Sequence, residues 1–105
     1  MSLSQTQIVI PCADLYNEFE LWYPYYRLLE AGATVVLAGP KAKTTYASKI
    51  GLPVTSDLAF ADLDPAAFAG VVIPGGYAPD HMRRSPELLA FVRELFAAGK
   101  LVAHI

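Results

Sequence analysis

Disulfide bonding is the first thing this sequence excludes: it carries one cysteine, Cys12, and a single thiol cannot close an internal bridge. Such usage suits a reducing compartment. Long apolar runs are missing too, with no window of about 18 uncharged apolar residues that could form a membrane-spanning helix. Basic charge is not in excess. Lys and Arg number 8 against 10 Asp and Glu, for a net charge of −2, so the basic stripe of a nucleic-acid binder is absent. Met1–Gln7 is polar and lacks the basic-then-apolar pattern of a signal segment. Neither G-x-G-x-x-G nor G-x-x-x-x-G-K-[ST] occurs, which removes two common phosphate loops. The 2 histidines and 1 cysteine fall at no metal-ligand spacing. The expectation is a compact cytoplasmic protein with no nucleic-acid or membrane partner, no metal and no cofactor.

What is present is apolar bulk. With 54% hydrophobic and 17% charged residues, the 105-residue chain is not a disordered segment, and it fits one domain at most. Short β-branched runs at Gln7–Cys12, Thr34–Ala38, Val71–Ile73 and Leu101–Ile105 read as strands of a parallel sheet covered on both faces. A helical stretch from about Glu18 to Ala31 ends at Gly32. A second helix has Ser85 as N-cap, Pro86 at its first position and Gly99 past its end. Its apolar arc comprises Leu88, Leu89, Phe91, Val92, Leu95 and Phe96. Residues 41–57 are less regular and read as a short hairpin or edge strand, and Asp64-Pro65 as the start of one helical turn. The sum is an α/β, doubly wound parallel sheet sandwiched by helices. Leu101–Ile105 reads as a buried central strand at the end of the chain. The single domain spanning 1–105 is therefore expected to be the N-terminal part of a longer one.

In an open parallel sheet ligands bind beyond the carboxyl ends of the strands, so chemistry is sought there. Pro74-Gly75-Gly76 follows the third of these strands as a tight turn whose free N–H groups could hold an anion or a developing oxyanion. A plain strand-to-helix turn is the alternative. Tyr77, next along, is a candidate substrate contact. Glu20 lies among Leu21, Trp22 and Tyr23, four residues before Pro24; burial there favours a protonated carboxyl, and a solvent-facing glutamate is the alternative. Depending on where the helix begins, Pro24 either orphans the Glu20 carbonyl or is merely an early helical residue. Cys12 reads as a small core residue, His81 as an exposed loop residue beside Asp80, and His104 as a core or interface histidine. Arg83-Arg84 reads as solvated surface.

Several stretches together resemble the ThiJ/PfpI superfamily. Glu20-Leu-Trp-Tyr-Pro-Tyr-Tyr-Arg-Leu-Leu-Glu-Ala-Gly32 and Ala38-Gly-Pro40 are similar to its first helix and second strand. Tyr46-Ala-Ser-Lys-Ile-Gly-Leu-Pro53 is similar to Y-x-G-K-x-G-Y-P, and Val72-Ile-Pro-Gly-Gly-Tyr-Ala-Pro-Asp80 to V-I-P-G-G-x-A-P-[DE]. Gly99-Lys-Leu-Val-Ala-His-Ile105 resembles the strand entering a nucleophile elbow. The resemblance implies a flavodoxin-like fold, related to class I glutamine amidotransferases, and a cysteine nucleophile directly after Ile105. It implies that Glu20 hydrogen-bonds that sulfur and that Gly75 or Gly76 supplies oxyanion donors. It further implies that Asp80 reaches a neighbouring subunit to complete a triad. Asp80 stands where the protease-like pattern has Glu, which shortens its reach; Asn17 stands where a glutamate is common, and Leu52 where tyrosine is usual.

The implied function is that of an intracellular cysteine-dependent hydrolase, amidase or protease-like or glyoxalase/deglycase-like. It would act on a small carbonyl or acyl substrate or a peptide, as a homo-dimer or higher homo-oligomer. Two other functions stay open: a non-enzymatic redox-sensing or chaperone-like stress protein, and a ligand-binding domain that has lost catalysis.

Overall fold

A computed structural model describes residues 3–105. Met1 and Ser2, the start of the polar stretch Met1–Gln7, lie outside the described residues. The β-branched run at the N-terminus forms β1 (Gln7–Pro11), which lies between β2 (Thr34–Gly39) and β6 (Gly70–Ile73), parallel to both. Val9 and Ile10 are fully buried because both faces and both edges of β1 are covered. Two-residue β5 (Leu58–Ala59) pairs with β2, and β7 (Leu101–His104) with β6, giving the order β5-β2-β1-β6-β7 with every pair parallel. A separate antiparallel hairpin, β3 (Thr45–Ala47) and β4 (Pro53–Thr55), stands beside this sheet. Among the described residues no helix is long and apolar enough to cross a membrane.

The connection from β1 to β2 is α1 (Glu18–Glu30); that from β6 to β7 runs through α2 (Ala78–Met82) and α3 (Pro86–Ala97). These two crossovers step in opposite directions along the sheet, so with right-handed connections α1 and α3 cover opposite faces. Both helices stop for the same reason. Gly32 at φ 97° and Gly99 at φ 74° adopt the left-handed conformation, and their N–H groups turn back to the carbonyls of Leu29 and Phe96. The doubly wound pattern read from the sequence is the observed one, and residues 41–57 carry the hairpin.

Within this sequence β7 pairs with β6, and Leu101 and Ile105 are more than half exposed. Two readings need correction. The α3 arc is narrower than expected: Leu88, Phe91 and Leu95 are buried, with Phe91 edge-on to Phe68, whereas Leu89 and Phe96 are exposed. These two sit seven residues apart on the side of α3 that faces away from Phe68's cluster, where with Val92 they line an open cavity of about 480 Å³. Finally, β5, α2 and the short 3-10 turn Phe60–Asp62 were not read at all, being too short for a periodic pattern.

Candidate active site

The strand order reverses between β1 and β6, and the crevice beyond their carboxyl ends is where this fold class places ligands. Two loops meet there. Backbone N–H of Asn17 donates to the Gly75 carbonyl at 3.1 Å, and that of Tyr77 to the Leu15 carbonyl at 2.9 Å. Gly76 adopts φ 84°, and a Cβ on it would lie 2.7 Å from the Asn17 nitrogen, so only glycine lets the loops close this tightly.

Glu20 enters this corner from the first turn of α1. Asn17 caps the helix, its side-chain oxygen accepting from the N–H groups of Phe19 (3.1 Å) and Glu20 (3.2 Å), which fixes where the helix begins. Pro24 therefore lies inside α1, where it cannot bond to the Glu20 carbonyl. The half-buried Glu20 carboxylate accepts the Gly75 N–H through Oε1 at 2.7 Å. The end of β7 completes the corner: Ile105 N–H donates to the Ile73 carbonyl at 3.1 Å, and a Cβ on Gly75 would lie 3.1 Å from the Ile105 carbonyl oxygen. The structure thus brings Glu20, Gly75 and Ile105 together. The solvent-facing alternative for Glu20 is overturned, since its carboxylate is turned inward onto a backbone donor; Tyr23, one of its expected apolar neighbours, is itself 73% exposed.

The other candidates are placed differently. Asp80 is exposed on α2 and pairs with Arg83 at 3.3 Å; both side chains face solvent, and Arg83 and Arg84 are the solvated surface expected. His81 is exposed but lies on α2, not in a loop. His104 is exposed within this sequence and lines the cavity beyond α3. None of Glu20, Gly75, Gly76, Tyr77 and Asp80 lines that cavity. Tyr77 is exposed beside Gly76, with the Lys49 ammonium 5.4 Å from its ring centre. Cys12 is fully buried; burial, reinforced by the negative charge of Asp57, pushes its thiol up to about 12. Such a thiol is not a nucleophile at neutral pH. No cluster of metal-ligating side chains exists among the described residues.

Two contributors escaped the sequence reading. Asn17 was noted only as a departure from glutamate, although Asn directly before Glu18 is a readable N-cap signal. Tyr16 left no readable signal. It is fully buried, its backbone bridges Ser48 on one side and Gly76 on the other, and its hydroxyl donates to the Leu52 carbonyl at 2.9 Å while accepting from the Trp22 indole at 3.1 Å. Burial raises its phenol above the ordinary tyrosine range.

A five-stranded parallel sheet with a carboxylate bound to a glycine turn at its switch point defines a flavodoxin-like α/β domain with its candidate site at the strand ends. The chain belongs to the DJ-1/PfpI family, whose sequence profile matches residues 6–105. It is 37% identical over 99 residues to a deglycase of Pyrococcus abyssi (strain GE5 / Orsay) and 36% identical over 99 residues to the deglycase PfpI of Pyrococcus furiosus. Each match covers 94% of this chain and 59% of the relative, so the chain spans about 59% of the length of these curated relatives. A two-domain protein of Anabaena variabilis containing DJ-1/ThiJ/PfpI-like and ferritin-like domains superposes with a TM-score of 0.91 at 36% identity, over 94% of this chain and 29% of that one. Oxidized DJ-1 of Toxoplasma gondii superposes with a TM-score of 0.87 at 27% identity, over 94% of this chain and 54% of that one.

Proposed function

We propose that the complete protein is a cysteine-dependent deglycase or glyoxalase-type hydrolase of the cytoplasm, working as a homo-oligomer, with its nucleophile directly after Ile105. The observation that carries this reading is the 2.7 Å bond between Glu20 and Gly75 beside the end of β7. With Oε1 held by Gly75, the other carboxyl oxygen of Glu20, protonated in this reading of the complete protein, is left to donate a hydrogen bond to a sulfur arriving past Ile105, and a hydrogen bond donated to a thiolate lowers its pKa. The deglycase names of the relatives support the reaction class.

In the reaction proposed, the thiolate adds to a substrate carbonyl carbon, forming a C–S bond as the C=O π pair moves onto oxygen; protonation of that oxygen gives a thiohemiacetal. Gly75 N–H is engaged by Glu20, so the oxyanion donor falls to Gly76. Its N–H leaves the trans peptide on the side opposite the Gly75 carbonyl, hence away from Asn17. Asp80 belongs to the proposal only across a subunit boundary, since its partner within the chain is Arg83.

The test is the pH dependence of iodoacetamide alkylation in the complete protein, with the modified peptide located by mass spectrometry. The expected result is fast alkylation at pH 5 and pH 8 at the residue after Ile105, with the pH 5 rate lost on Glu20→Ala. Equal rates at both pH values in the variant would overturn the proposal. Methylglyoxal turnover by the unmodified protein separates the enzyme from a redox sensor that uses the same sulfur.

A further inference from the structure

Three backbone segments lie side by side at the mouth of this corner: the β3–β4 loop at Ser48, the loop at Tyr16, and the turn at Gly76. Tyr16 is the middle one. At roughly 4.8 Å per step, Ser48 stands about 10 Å from Gly76. The β3–β4 loop is held firmly in this place. Ser48 is buried, its hydroxyl accepts from the N–H groups of Ile50 (3.2 Å) and Leu52 (2.9 Å), and its own N–H donates to the Leu52 carbonyl at 2.9 Å. Lys49 N–H donates to the Tyr16 carbonyl at 3.1 Å.

From that fixed base the Lys49 side chain brings its ammonium 5.4 Å from the ring centre of Tyr77, the residue that follows the glycine turn. The two ion pairs found among the described residues, Arg27 with Glu30 and Arg83 with Asp80, do not include Lys49. The corner therefore carries an unpaired ammonium on its rim, with Glu20 on its inner wall. A neutral carbonyl compound gains nothing from the rim charge. One carrying a carboxylate or phosphate gains an ion pair, and is oriented with its anionic end outward, away from Glu20.

We propose that Lys49 selects substrates in which the reactive carbonyl carries an anionic group, making it a specificity-determining residue of the site. This inference rests on the functional reading above but is tested by binding, independently of turnover.

The probes are pyruvate and pyruvamide, which share a shape and a ketone and differ in charge. Titrated into the 15N-labelled complete protein, pyruvate is expected to move the Gly76 and Tyr77 amide signals saturably, with pyruvamide at least tenfold weaker. Lys49→Met is expected to weaken pyruvate about tenfold while leaving pyruvamide unchanged, and Lys49→Arg to retain it. Equal binding of the two probes, or equal affinity of pyruvate for the protein and its Lys49→Met variant, would overturn the inference. Pyruvate held through Lys49 in a complete protein that turns over neither glyoxylate nor methylglyoxal refutes the enzyme reading and overturns the substrate role of Lys49, leaving it an anion-binding residue alone.

Discussion

Glu20 and Gly75, 55 positions apart in sequence, are joined by a 2.7 Å hydrogen bond from backbone N–H to carboxylate. That bond locks the first turn of α1 to the turn after β6, at the point where the sheet reverses its strand order. A carboxylate at this depth is tolerable because it is given a donor; a charge-assisted bond of this kind is about twice as strong as a neutral one.

Gly75→Ala tests how little room the corner has. The new methyl would collide with Glu20 Oε1 and lie 3.1 Å from the Ile105 carbonyl. The variant is expected to lose about 1–3 kcal/mol in urea unfolding through overpacking. The Gly75→Ala, Glu20→Ala double variant is expected to recover part of that loss, because the side chain it strikes first is gone. Full additivity of the two losses would contradict the packing described.

Asn17→Ala removes the acceptor for two helix N–H groups and is expected to cost about 1 kcal/mol by chemical denaturation. Asn17→Asp, which keeps an acceptor and adds charge at the positive end of the helix, is expected to match or exceed the original stability.

Cys12 gives a pH signature. Its thiol is raised from about 9 to about 12 in the folded chain, so between those pH values the unfolded chain releases a proton that the folded one keeps. Stability from this group is therefore complete below pH 9 and is lost as pH rises toward 12, at no more than about 1.4 kcal/mol per pH unit. Comparing the alkaline slope of urea-unfolding stability with that of Cys12→Ala isolates the contribution, and the variant is expected to show the shallower slope. Reagents for free thiols at pH 8 are expected to leave Cys12 unmodified until the chain is unfolded.

How far the sequence could be read follows from the physics of each element. Strands and long helices were legible because β-branched runs, Ser85-Pro86 and the two terminal glycines act locally. The order of strands was legible only as a class, since nothing in a short apolar run names the strands it pairs with. Glu20 and the glycine turn were legible as candidates from residue type and position. Their contact was not, since nothing local specifies a partner 55 residues away. Tyr16 was invisible for the same reason: its importance is a matter of what lies on either side of it, Ser48 and Gly76.

Hydrogen exchange at one amide tests the central relationship most directly. Glu20 is the acceptor of the Gly75 N–H, so Glu20→Ala is expected to speed exchange of the Gly75 amide about ten- to hundredfold, the equivalent of the roughly 1.5–3 kcal/mol that a hydrogen bond to a charged group contributes. Val9, in the middle of β1, should exchange as before. A Gly75 amide that exchanges at the same rate with and without the Glu20 carboxylate would contradict the account.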